Sequence, residues 1–417
     1  MGSAHELTTA SYRPAATAPA GAETIVDRLV GMRAWLRDMQ LESERQRRVP
    51  QATVERLAET GLYAITVPAR FGGADFSARE LLRIYEAAGR GCGSTAWTVW
   101  ASSGGNQWST AFPEEAVRPV YEAPWIGNRT CAVGGSSRRL AGAARRVANG
   151  WMVKGRWPFA TGSLHASHAY LAVYLDDFDD TNTGMVLVPK ASYRLLDDWD
   201  TTGLAGTGSV TLVIEQELFV PDERFSSPRL LAERLSELKR QGRAPRPGGV
   251  GRSIVVGSGN AIGMAEHALE VFLSNIGRRS LAYSPYATQK DAPITHLNVG
   301  QVQMQIKSAR CVAEAAAADL DRLHEAGADA TPADFVRYQA DAAFVWDTCA
   351  NAIEALFRAS GASGIAKTQP LQLIARNCRA GSLHAAHNIQ ICMENYGRQL
   401  CGIQSTLTST NVLERSS

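Results

Sequence analysis

The stretch "GRWPFATGS", Gly155–Ser163, places two glycines, two aromatic side chains and two hydroxyls within nine residues. It follows "WMVK", Trp151–Lys154, whose composition reads as a strand. Two readings fit these residue types. One is a hairpin corner with a core tryptophan. The other is a flat apolar wall with hydrogen-bond partners for a bound planar ring, where Gly162 lets the backbone approach closely.

Around this turn the chain changes texture twice. From 126 to about 221 it carries short β-like runs, among them "HAYLAVYL", "TGMVLVP" and "SVTLVIEQELFVP", and Asn149-Gly150 marks a hairpin. Before them, "IVDRLVGMRAWLRDM", "ATVERLAETGLYAI" and "ARELLRIYEAAGRG" show helical spacing. "TAWTVWASSGGNQW" reads as a further helix that loosens at Gly104 and Gly105. After the Gly, Pro and Arg-rich run 238–253, four long helical patterns complete the chain and predict an antiparallel bundle. The expected fold is α+β: a leader over 1–22, an N-terminal helical domain over 23–125, a central β-barrel or sandwich domain over 126–236, a loop over 237–253 and a C-terminal four-helix bundle over 254–417.

Composition narrows the function classes. With 417 residues, 45% of them apolar, the chain has ample material for a core. Its 43 basic and 41 acidic residues are spread evenly, which leaves no footprint for nucleic acid. The densest basic cluster, Arg138, Arg139, Arg145 and Arg146, flanks an apparent turn and reads as a solvated hairpin. Seven cysteines without CxxC spacing, and no secretory apolar segment at the start, fit reduced thiols in a cytoplasm and no metal site. No run approaches the roughly 20 apolar residues of a membrane span.

Helices, a β domain and then a helical bundle, together with three motifs, resemble the acyl-CoA dehydrogenase fold and, within it, the two-component (group D) flavin-dependent monooxygenases. The motifs are "GRWPFATGS", "DDWDTTGLAGTGSVTLVIEQELFVP" and "SGASGIAKTQPLQLIARNCRAGSLH", in family order. The resemblance implies a reduced flavin, FMN or FADH2, delivered by a separate NAD(P)H:flavin reductase. Its reaction with O2 would give a C4a-hydroperoxyflavin that oxygenates a small organic substrate, in the setting of natural-product metabolism. It also implies a homotetramer.

On that resemblance the opening turn meets the edge of the flavin, with Trp157, Phe159, Thr161, Gly162 and Ser163 as cofactor residues; Thr161 stands where serine is usual. Gly203, Gly206 and Gly208 are given a structural role nearby. Arg278, beside Arg279 at a helix end, is expected either on a flavin phosphate or as an ordinary partner of the helix dipole. His384, eight positions after Arg376, is the catalytic candidate beside the flavin. Asn377 replaces the usual Asp, removing a possible ion pair with Arg376. His387, three residues on, would share a helix face with His384.

Substrate residues are expected at Trp100, Asn106, Gln107 and His387, with Trp97 and Trp108 as further wall or core. Relatives that hydroxylate phenols often carry a histidine where Asn106 and Gln107 stand, and a carboxamide cannot take a phenol proton. That favours amine or amino-sugar N-oxygenation, or hydroxylation of an already acidic polyketide. The alternative is an acyl-CoA or acyl-carrier-protein dehydrogenase using FAD, which needs a carboxylate base. The late carboxylates Glu394 and Glu414 lie in no matching motif. "VGSGNAIG" at Val256 reads as helix packing, not a nicotinamide fingerprint.

Overall fold

The computed structural model describes residues 20–122, 127, 129–133, 142–175 and 183–404. Residues 1–19 of the expected leader, Arg138, Arg139 and Glu414 lie outside the described residues. Five helices come first: α1 (Ala22–Gln46), α2 (Gln51–Ala58), α3 (Ala78–Gly89), α4 (Gly93–Gln107) and α5 (Glu114–Glu122). Ser77 and Glu80 form a capping box that starts α3. α4 does not loosen at Gly104 and Gly105; it runs unbroken to Gln107. Packing overrides the propensity there, because Gly105 lies against Thr130, with no room for a Cβ.

Among the described residues eight strands follow in one sheet: β1 (Thr130–Val133), β2 (Gly142–Val147), β3 (Gly150–Trp157), β4 (His168–Leu175), β5 (Thr183–Pro189), β6 (Arg194–Leu195), β7 (Leu212–Pro221) and β8 (Phe225–Ser226). The order is β6-β7-β3-β2-β4-β5-β8, with β1 pairing β4 in parallel. β2 and β3 join through a tight turn in which Asn149 takes a left-handed φ of 59°. β4 is apolar on both faces for a reason. Ala169, Leu171 and Val173 enter a core with Trp157, while Tyr170 and Ala172 enter a second core with Phe112, Val117 and Leu231.

Leu231 belongs to α6 (Pro228–Arg240), which occupies the stretch expected to be the end of the β domain and the start of the loop. Its start was readable, since Ser227 caps it and Pro228 takes the first turn. The connection to α7 (Gly249–Gly257) is therefore only 241–248. α7 and α8 (Gly259–Asn275) are helical through "VGSGNAIG", as packing of small residues requires. α8, α9 (Pro293–Glu325), α10 (Pro332–Ala359) and α11 (Pro370–Ser382) form the bundle, with α10 at its centre. The fourth expected helix is broken: α11 ends at Ser382 and α12 (Ile389–Leu400) begins after a short 3-10 turn at Ala385–His387.

The helices of both ends share a single core, from Leu29 and Tyr85 to Ile262, Ala309 and Trp346. No helix among the described residues is long and apolar enough to cross a membrane.

Candidate functional site

The turn after β3 divides the roles expected of its residues. Trp157 is fully buried, and its indole N–H donates to the Ala172 carbonyl at 2.7 Å. Gly142 clears its path, since a Cβ there would fall 2.1 Å from the ring. Trp157 therefore belongs to the sheet core and offers no wall to a ligand, which corrects that expectation. Phe159 supplies the exposed ring instead. It holds a left-handed φ of 60°, is 65% exposed and stands edge-on to Trp199, with 5.8 Å between centroids. Gly162 has a φ of 84°, and the Ser163 hydroxyl is buried without a partner.

Behind Phe159 the hydroxyls are linked. Thr161 Oγ1 lies 2.6 Å from Ser209 Oγ, Ser209 Oγ lies 2.7 Å from Thr207 Oγ1, and the Thr207 hydroxyl donates to the Leu204 carbonyl at 2.8 Å. Leu204 is itself left-handed, with φ 54°, and its N–H donates to Asn377 Oδ1 on α11 at 2.7 Å. Gly203 packs against the Arg376 carbonyl and Gly206 against Ser43 and Ser94, leaving neither room for a Cβ. The 203–209 loop thus joins the turn to α1, α4 and α11. Arg376 keeps an ion pair despite the missing Asp, because its guanidinium meets Glu44 of α1 at 2.6 Å.

One helical turn beyond Ser94, roughly 5 Å along α4, begins a cluster of indoles and imidazoles. Trp97 lies 5.5 Å from both Trp346 and His384, and Trp100 lies 5.8 Å from His384 and 6.0 Å from His387. His387 stacks on Trp346, 5.0 Å away and 4° from parallel. The two imidazoles are 5.2 Å apart. The helix break, not a continuous helical face, brings them together.

Their tautomers follow from their partners. His387 Nε2 faces the Gly381 carbonyl at 2.8 Å and so carries the proton, which leaves Nδ1 a bare, buried acceptor without a partner. His384 Nδ1 accepts from the Ala386 N–H at 3.2 Å, so its Nε2–H is free to donate, and its side chain is exposed. Burial, then the neighbouring His384, pushes His387 down to about 3. The His387 imidazole is neutral at physiological pH.

Asn106 is not part of this cluster. Its amide donates to Thr66 Oγ1, and its oxygen accepts from Tyr121 and Thr130 at 3.1 and 3.0 Å. Both ends of the carboxamide are committed, roughly 9 Å along α4 from Trp100, which corrects its assignment to substrate. Gln107 is half-buried at the same helix end, and Trp108 packs against the second sheet core. Arg278, in the turn after α8, is exposed and donates to the Ser274 carbonyl of that helix, while Arg279 donates to the Ser360 carbonyl. Glu394 forms a surface ion pair with Arg398 at 3.0 Å. Trp346 was missed, since its place in "DAAFVWDTC" reads only as helix core.

The description "Acyl-CoA dehydrogenase, N-terminal domain" matches residues 32–121, and "Acyl-CoA dehydrogenase, C-terminal domain" matches 255–389. Over 391 residues the chain is 30% identical to the oxygenase subunit HsaA of a flavin-dependent monooxygenase from Rhodococcus jostii, covering 92% of this chain and 100% of the relative. The chain belongs to the two-component flavin-dependent monooxygenases of the acyl-CoA dehydrogenase fold. This monooxygenase is also 26% identical to the oxygenase component of an FADH(2)-dependent resorcinol hydroxylase from Rhizobium, covering 91% of this chain and 94% of that one. Among solved structures it is similar to XiaF from Streptomyces sp. in complex with FADH2 and glycerol, with a TM-score of 0.85, 26% identity, and coverage of 93% and 97%. The monooxygenase is thus an oxidoreductase with the expected α+β architecture.

Proposed function

We propose that this chain is an oxygenase component that hydroxylates a small, flat, neutral aromatic substrate, with O2 and reduced FMN or FADH2 from a separate NAD(P)H:flavin reductase. The observation that carries the substrate class is the cluster of Trp97, Trp100, His384 and His387, a wall of flat rings in which the buried His387 is neutral.

The turn suits a flavin edge: Phe159 offers an exposed face, Ser163 a buried hydroxyl without a partner, and Thr161 and Gly162 a close polar approach. When bound, reduced flavin would supply the two electrons that activate O2, so that one oxygen atom could reach the substrate and the other leave as water. In this reading Phe159 and Trp199 hold the ring, and His384 donates its Nε2–H toward the reacting oxygen. Trp97, Trp100 and Trp346 keep water from the cleft, and the buried, neutral His387 delivers no stray proton. A homotetramer is part of the proposal, supported by exposed Ile294, Leu297 and Met304 along α9. Arg278, exposed at its helix end, would be available to a neighbouring copy's flavin phosphate. Reduced thiols, all seven cysteines being free, support a cytoplasmic setting.

The test is an oxygen pulse onto protein mixed anaerobically with reduced FMN or FAD, followed by flavin absorbance with and without phenolic or indolic substrates. A protein-dependent spectrum unlike either the reduced or oxidised flavin, with oxygen-dependent product, is expected. Flavin oxidation identical to that in buffer, under every substrate tried, would overturn the reading.

A further inference from the structure

The three hydroxyls behind the turn have one proton arrangement that gives the carbonyl at their end both of its donors. Leu204 O can only accept, so Thr207 donates to it at 2.8 Å. Thr207 Oγ1, its proton committed, accepts from Ser209 at 2.7 Å, and Ser209 Oγ accepts from Thr161 at 2.6 Å. All three side chains are buried, which keeps water from interrupting the chain. Leu204 is held in place: Asn377 takes its N–H, and its carbonyl also receives the Trp199 indole N–H at 3.1 Å. The consequence falls at the other end, where Thr161 Oγ1 has its proton turned inward and only lone pairs left for a ligand.

We propose that this relay makes Thr161 a hydrogen-bond acceptor and so selects reduced over oxidised flavin. The inference rests on the reading above, in which the flavin edge meets this turn. A reduced flavin carries hydrogen on N5 of its ring and can donate to Thr161. An oxidised flavin presents a lone pair at the same atom and meets another lone pair. To bind it equally well the relay must reverse, and Leu204 O then loses one donor. Thr207 and Ser209 are positioning residues, since they act only through Thr161. One net hydrogen bond separates the two states, roughly a fivefold difference in affinity.

The experiment measures dissociation constants of oxidised and anaerobically reduced FMN and FAD by equilibrium titration for the full chain and three variants. The ratio of oxidised to reduced dissociation constants is the readout. Thr207→Val and Ser209→Ala free the Thr161 proton, and each should lower the ratio roughly fivefold; Thr207→Ser keeps the relay and should leave it unchanged. A merely structural effect weakens both redox forms alike and leaves the ratio unmoved. A wild-type ratio retained by both Thr207→Val and Ser209→Ala would overturn the relay, as would Thr207→Ser behaving like Thr207→Val. If Thr207→Val does not fold, Ser209→Ala, the smaller change, decides alone. Absence of binding in either redox state would instead defeat the functional reading itself.

Discussion

Acid should destabilise this chain through its histidines before its carboxylates titrate. Burial first, with nearby cations or the neighbouring imidazole second, lowers His165 and His168 to about 4 and His267 and His387 to about 3, from 6.5 in an unfolded chain. Between those values the unfolded chain binds protons that the folded chain refuses. Stability is therefore complete above about pH 6.5 and is lost as pH falls toward the folded values. Each histidine contributes a slope of about 1.4 kcal/mol per pH unit, roughly 5 kcal/mol per unit for the four together. Against a typical margin of about 5–15 kcal/mol, one unit of acidification removes a large share. His384 adds little, because its exposed ring is screened by water. Urea unfolding at constant ionic strength from pH 7.5 to 5, with proton uptake measured by calorimetry in two buffers, reads the slope directly. His267→Gln, on α8 beside Arg37 and Glu270, should flatten it by close to one proton. A stability constant down to pH 5, lost only below about 4.5 where carboxylates titrate, would refute the reasoning.

Three further outcomes follow from contacts in the site. His384→Ala removes the free Nε2–H donor; product per flavin oxidised should fall about tenfold or more, with hydrogen peroxide in its place, and unchanged coupling would remove His384 from the chemistry. Asn106→Ala strands its partners Tyr121 and Thr130 and should cost roughly 1–3 kcal/mol in stability without moving the substrate KM; a KM shift in a folded variant would return Asn106 to the substrate site. Gly257→Ala puts a Cβ 2.2 Å from Trp100 Nε1, whose N–H donates to Ser253 O at 2.8 Å. It should destabilise by roughly 1–3 kcal/mol and lower coupling as Trp100 shifts, and coupling equal to wild type would detach Trp100 from the cleft.

The sequence made the architecture legible because three features are local: helical periodicity, the β texture around Asn149-Gly150, and motifs in family order. Ser227-Pro228 was as clear a helix signal as any, yet the Gly and Pro content just downstream masked it. Site geometry was legible only in part, since it depends on which way a side chain turns. Trp157 points into the sheet because β3 alternates and Gly142 leaves a slot for the ring, while the aromatic two residues on is thrown outward by a left-handed backbone. Asn106 and Trp100 sit on one helix, but six residues apart they meet different neighbours. Trp346 and His387 come from separate helical segments, and no spacing rule connects them.

The exchange of Asp for Asn at 377 shows how such distant contacts are kept. A lost ion pair with Arg376 would be expected to loosen α11, yet Arg376 finds Glu44 on α1 at a half-buried position where a charge pair costs little desolvation. Residue 377 is itself almost fully buried, and its task is to accept one N–H from Leu204. A neutral carboxamide oxygen does this without placing an unpaired charge in the interior. The bond fixes a left-handed leucine, the leucine fixes its carbonyl, and the carbonyl orders three hydroxyls that end at the turn after β3. The polarity of that turn is thus set from α11, the helix whose end also presents His384, so the two sides of the proposed flavin cleft are tied through a single backbone residue.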